Sequence, residues 1–230
     1  MCNNKNLRAA VALSLLAVAS AANADIVSLR DQGSNLTVLS PIFINGGDFS
    51  GSVTGYIGSY TIELQTPATS FVAYCADPFQ HSNSNYQSYS RSTLVAANLP
   101  AVEAVRFGEV TKLYANAYAG SLANATKSAG FQIALWEVWH DDKVLGTGDI
   151  RSSGYSNSAI VTEAQNLLDS LAGWTASTVP ALTLYSNGTY QDYVVPAGQP
   201  GSVFPIPEPG TYALLLAGFG VLGLARRRQA

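Results

Sequence analysis

The chain carries two cysteines, Cys2 and Cys75, and two histidines, His81 and His140. Cys75 closes the segment Phe71-Val72-Ala73-Tyr74-Cys75-Ala76-Asp77, which reads as a strand ending in a polar turn. Cys2 sits at the extreme N-terminus, inside a leader that is expected to be removed, so the mature chain is expected to hold one thiol and no intramolecular disulfide. Three chemistries are open to such a thiol. It can be a buried small hydrophobe, a catalytic nucleophile, or one half of a covalent bond other than a disulfide. A nucleophile needs a base. His81 lies six residues on, in a Ser/Asn/Gln-rich stretch that positions nothing. His140 ends the helix that starts near Ser128, and is expected there as a C-terminal residue favourable to the helix dipole. Asp141, Asp142 and Asp149 follow it without calcium-loop spacing or a paired-histidine zinc pattern, so they are expected to be solvated helix-end acids. No metal, cofactor or catalytic group is expected.

The third option has a candidate partner. Downstream the chain reads Gly130-Phe131-Gln132-Ile133-Ala134-Leu135-Trp136-Glu137. Together with Tyr74-Cys75-Ala76-Asp77, this resembles the thioester domains of bacterial surface proteins. There an aromatic-Cys-x-acid segment on a strand meets a Gln-x-Ala-x-Trp segment at the start of a helix. The resemblance implies that Cys75 is the sulfur donor and Gln132 the acyl donor of an internal thioester. Tyr74, Phe131 and Trp136 would pack around the bond and exclude water. It departs from the usual helix motif at Phe131 and Leu135, where Thr and Ile are common. A primary amide is a poor electrophile, and proximity of a held thiol can offset much of that barrier. The bond so formed would couple once, covalently, to an amine or hydroxyl of a target, which is not turnover catalysis.

The two ends read as addresses. Lys5 and Arg8 precede the apolar run Ala9–Ala19, and Ala22-Asn23-Ala24 is a small-x-small cleavage site before Asp25. Residues 1–24 are thus expected to be a secretory signal cut by signal peptidase between Ala24 and Asp25. At the other end Pro207-Glu208-Pro209 precedes an uncharged stretch from Ala213 to Ala225 and then Arg226-Arg227-Arg228. The apolar run is about 15 residues, short of the ~20 that span a typical bilayer, and the arginines would hold it on the cytoplasmic side. In order and composition, residues 207–230 resemble the PEP-CTERM sorting signal of Gram-negative, biofilm-forming bacteria. The resemblance implies processing by an exosortase, transient insertion in the inner membrane, and delivery to the envelope, the outer surface or an exopolysaccharide matrix.

Trimming both ends leaves Asp25 to about Ile206, enough for one domain. Of 12 Lys and Arg, five lie in the trimmed ends and 7 remain; of 15 acids only Glu208 is lost and 14 remain, so the mature charge is near −7. That disfavours nucleic acid as a partner, since phosphates need a basic face. The Asn, Ser, Thr, Tyr and Gly of the polar surface suit extracellular polysaccharide or other matrix. By pattern, residues 25–75 are β, with runs at 36–39, 51–57, 60–64 and 69–75. Residues 77–99 read as loop. Residues 101–172 read as three helices, the first breaking near Gly108, the second starting near Ser128, the third covering 160–171. Strands return at 181–185 and 190–195, joined by Ser186-Asn187-Gly188-Thr189, in which Asn-Gly is a hairpin signal. The expected fold is α+β: a β-barrel or sandwich closed by N- and C-terminal strands over residues 25–195, with a helical insertion in the middle. A proline-containing spacer is expected over 196–206.

Overall fold

The computed structural model describes residues 25–94, 101–175 and 181–198. The expected leader, the sorting tail and most of the spacer lie outside the described residues. Within them the fold is mixed: one mostly antiparallel seven-stranded sheet and three helices. The strands are β1 (Asp25–Gly46), β2 (Phe49–Leu64), β3 (Thr69–Cys75), β4 (Gln87–Leu94), β5 (Ile150–Arg151), β6 (Leu182–Ser186) and β7 (Tyr193–Pro196); the helices are α1 (Ala101–Ser121), α2 (Ala125–His140) and α3 (Ser158–Ser170).

The three short β runs of the first third fuse into one long hairpin, β1–β2, turned by Gly47-Asp48. Gly47 has φ +55°, and a Cβ there would lie 2.2 Å from the Phe79 carbonyl oxygen, so only glycine fits. Near its start β1 changes partner. Asp25–Leu29 pairs with β4 and Leu29 onward pairs with β2, with Leu29 facing a neighbour on each side. The remaining pairings run β2–β3, β3–β7, β7–β6 and β6–β4, so they return to β1 in a ring, and β5 joins the far end of β1.

Period-two alternation divides the interior. Phe71, Ala73 and Cys75 of β3 face one core cluster with Leu29, Ile62, Tyr89 and Tyr193. Tyr74 and Ala76 face the other, with α1 (Phe107, Val110, Leu113) and α2 (Phe131, Leu135). Helix α2 serves both: Ala129, Ile133 and Trp136 in the first, Phe131, Ala134, Leu135 and Val138 in the second. Every residue of α2 from Ser128 to Val138 is buried, as for a helix at the centre of a domain. Asn124 caps its start, its side chain accepting from the Lys127 amide at 3.0 Å.

The structure departs from the sequence reading in several places. The 77–99 stretch contains a strand, β4, whose polar residues carry no alternation; it is held by ladders to β1 and β6 on either side. Helix α1 runs through Gly108, around which there is open space. The hairpin expected around Asn187-Gly188 forms, with β6 antiparallel to β7, but its loop is longer than the four residues 186–189. Tyr185 pairs with Tyr193 across that loop. Asn187 Oδ1 accepts from the Thr189 and Tyr190 amides, and its own amide donates to Asp192 Oδ1 at 2.7 Å. The short polar side chain shapes the loop here. The second strand ends at Pro196, so the first residue of the expected spacer belongs to the sheet. No helix among the described residues is long and apolar enough to cross a membrane.

Candidate functional site

The site forms where a ladder stops. Strands β2 and β3 pair from Leu64–Thr69 to Tyr60–Ala73 and no further. Past that point side chains of α2 take up the exposed main-chain groups of both strands. Ser128 Oγ accepts from the Ser59 amide at 2.9 Å. Gln132 meets Cys75 twice: its Oε1 accepts from the Cys75 amide, and its Nε2 donates to the Cys75 carbonyl, each at 2.8 Å. Trp136 Nε1 donates to that same carbonyl at 3.0 Å. His140 Nε2 lies 2.5 Å from the Ala76 carbonyl. Ser128, Gln132, Trp136 and His140 recur every fourth residue, so one stripe of the helix seals the split between the strands.

The structure therefore brings Cys75 and Gln132 together across 57 residues of chain. Both are buried, Gln132 completely. Trp136 shares the core cluster of Cys75. Tyr74 and Phe131, expected as walls around the sulfur, lie in the cluster on the opposite face of β3, in ring contact at 4.6 Å between centroids. The Tyr74 hydroxyl is held there by Ser121 Oγ at 2.7 Å and Ser128 Oγ at 3.0 Å. Strand alternation explains the difference, because neighbours in a strand point to opposite faces. Tyr89 and Tyr193 share the Cys75 cluster instead, with Tyr60 packed against it. Pro207, Glu208, Pro209, Arg226, Arg227, Arg228 and Ala24 lie outside the described residues; Asp25 opens β1, paired with Arg91.

The electrostatics favour neutral sulfur. Burial pushes the Cys75 thiol well above its ordinary value, the nearby Asp31 and Asp77 carboxylates push the same way, and a hydrogen bond from Gln191 opposes them. Asp31 is itself raised by burial, while the Gly33 amide, which donates to its Oδ1 at 2.7 Å, pulls it down. His140 is lowered, chiefly by burial, so it sits as a neutral ring against Ala76. It ends α2, as expected, and its ring also extends the stripe that carries Gln132. A cleft of about 430 Å³ reaches this region, lined among others by Asp31, Tyr60, His81, Trp136 and Gln191.

The fourfold stripe was readable in the sequence as Asn124, Ser128, Gln132, Trp136 and His140. The gathering of Tyr60, Tyr89, Tyr193 and Asp31 near Cys75 was not, since these arrive from four separate strands.

Residues 205–229 match the family model of the PEP-CTERM protein-sorting motif. The tail thus carries an exosortase-directed address for export to the cell envelope or surface. That match covers the tail and leaves the body of the chain unassigned. No curated protein and no solved structure gives a significant match.

Proposed function

We propose that this is an exported surface or matrix protein whose Cys75 and Gln132 join in an internal thioester that couples covalently to a target. The carrying observation is the double hydrogen bond of the Gln132 carboxamide to the Cys75 main chain, 2.8 Å on each arm, inside the core. Bond formation balances simply. Sγ attacks Cδ of Gln132, the C–N bond breaks, and the thiol proton leaves with the nitrogen as ammonia. The Cys75 amide already donates to Oε1, where negative charge would develop during attack, and so would act as an oxyanion donor. Trp136 keeps the Cys75 carbonyl satisfied after Nε2 departs. Because the proton leaves with nitrogen, no free thiolate has to accumulate in surroundings that disfavour it.

An amine or hydroxyl of an extracellular polysaccharide or neighbouring surface would then attack Cδ, with the Cys75 thiolate as leaving group and the target's proton returned to sulfur. The product is an amide or ester link from Gln132 to the target, made once per molecule. The ring of strand pairings is read as a small barrel closed by both ends of the chain, a rigid holder for the bond. Signal peptidase would trim the leader, and the tail would insert in the inner membrane until exosortase releases it.

A second reading has its own observation. The Gln132 amide is fully satisfied by Cys75, as a purely structural plug would be, and the thiol is buried like a small hydrophobe. The protein would then be a non-reactive structural or carbohydrate-binding component of the matrix. Intact mass separates the two. A thioester makes the wild-type protein one ammonia lighter than its sequence, and methylamine adds its own mass and frees one thiol. Cys75→Ala, which leaves the main-chain hydrogen bonds in place, restores full mass. A wild-type protein of full mass, whose thiol alkylates stoichiometrically once unfolded, sinks the thioester and leaves the plug.

A further inference from the structure

A second polar cluster lies at the C-terminal end of α2, off the stripe that meets Cys75. Glu137 is fully buried, and neither of its carboxylate oxygens has a hydrogen-bond partner. Oxygens of Glu137, Asp141 and Asp142 all lie within 4.8 Å of one another. They stand at the C-terminal end of the helix, where the macrodipole is itself negative. The cations nearby are engaged elsewhere: Lys143 grips both oxygens of Glu109 at 2.9 and 3.0 Å, and Arg106 donates to the Trp139 carbonyl at 2.9 Å. The outer two acids are held in place. The Ile150 amide donates to Asp141 Oδ2 at 2.6 Å, and Asp142 accepts from the Val144 amide at 2.8 Å and the Thr147 hydroxyl at 2.7 Å. Gly148, with φ +74°, presses on Asp141 so closely that a Cβ there would lie 2.0 Å from Oδ1.

We propose that Glu137, Asp141 and Asp142 form a binding site for a calcium ion. Three negative groups crowded at a negative helix end, one of them desolvated and without a partner, need a positive charge among them. The alternative is a proton on Glu137. Burial, Asp141 and Asp142 do raise its carboxyl to about 8; the Lys143 and Val144 amides, close by but outside hydrogen-bond geometry with its oxygens, pull weakly the other way. A proton, however, neutralises only one of the three crowded carboxylates, whereas a metal ion engages all three. The donor set is oxygen only, since His140 is turned to Ala76. That selects a hard cation over zinc. Calcium bonds of about 2.3–2.6 Å let ligand oxygens stand up to ~5 Å apart, and a flexible coordination number admits waters and loop carbonyls. Magnesium demands a tighter octahedron. Extracellular calcium modules bind at about 10⁻⁴–10⁻³ M, a range suited to an exported protein.

The test is thermal unfolding of the full-length protein, stripped with chelator and titrated with calcium chloride alone. At a hundredfold excess over Kd the midpoint is expected to rise by roughly 5–10 °C. Glu137→Gln is expected to unfold in chelator at the wild-type temperature or above it, since it removes an unpaired charge, and to lose the calcium response. Asp142→Asn, at an exposed position, is expected to fold normally and shift the response to at least tenfold higher calcium. An unchanged wild-type midpoint in calcium, an equal response to magnesium, or a full response in Glu137→Gln overturns the site.

Discussion

At the scale of single residues, Gln132 does two jobs that can be separated. As a plug it saturates the Cys75 amide and shares the Cys75 carbonyl with Trp136. Gln132→Ala therefore strands one buried N–H outright and empties side-chain volume in the core. A loss of about 2–4 kcal/mol in denaturant unfolding is expected. Cys75→Ala keeps all three hydrogen bonds and removes only the sulfur, so it is expected to cost at most about 1 kcal/mol if the wild type carries a free thiol. If the wild type carries the thioester, the same variant also removes a cross-link closing a long loop, and the loss is expected to rise to about 3–5 kcal/mol. A measured loss below that range, in protein shown by mass to lack ammonia, would mean the bond does not hold the domain together. That Cys75 and Gln132 lie close together was legible in the sequence because both sit in short, distinctive segments. The packing of Tyr74 and Phe131 was not, because proximity in sequence to the reactive pair says nothing about which face of β3 a side chain takes.

At the scale of elements, two glycines in two helices should answer the same substitution with opposite signs. Gly108 in α1 has open space where a Cβ would go, and its burden is conformational entropy alone; Gly108→Ala is expected to stabilise by about 0.5–1 kcal/mol. Gly130 in α2 gains as much from helix propensity, but its Cβ would lie 2.6 Å from Cβ and Cγ of Glu163 and 3.1 Å from the Ala164 amide nitrogen on α3. Overpacking of that kind costs about 1–3 kcal/mol, so Gly130→Ala is expected to destabilise. It would also push on the turn that carries Gln132. Equal effects of the two variants in thermal unfolding would show that α3 does not dock on α2 at this spot. The same contrast explains what the chain made legible. Strand β3 and the cores of the helices announced themselves by apolar spacing, whereas the break expected at Gly108 rested on propensity, which one residue inside a long packed helix does not decide. Strand β4 gave no signal, since Gln87-Ser88-Tyr89-Ser90-Arg91-Ser92-Thr93 has the composition of a loop. It becomes a strand only because β1 and β6 offer it partners on both edges.

At the scale of the whole molecule, the folded body and the address at its end should be independent. The body closes at both chain ends: Asp25–Leu29 pairs with β4, and Pro196 pairs with Leu182 at the end of the last ladder. Beyond it the Ala197 amide still donates to the Ala181 carbonyl at 2.6 Å. The matched sorting motif begins at residue 205, past the last pairing. Replacing Pro207, Glu208 and Pro209 by alanine should therefore leave the midpoint of thermal unfolding where it was, because every described ladder and core residue is kept. The same replacement should abolish processing in cells that contain an exosortase, and the uncut precursor should accumulate in the membrane fraction, held by the apolar run and by Arg226, Arg227 and Arg228. The short run matters to this outcome: about 15 apolar residues cross a bilayer only with thinning or snorkelling arginines, which suits a segment meant to be cut. Cell fractionation with mass analysis of the C-terminus reads both effects at once. If the alanine variant is trimmed and released like wild type, the three residues are not what the processing enzyme reads. If its folded body melts earlier, the tail is part of the domain and the division drawn at Pro196 is misplaced.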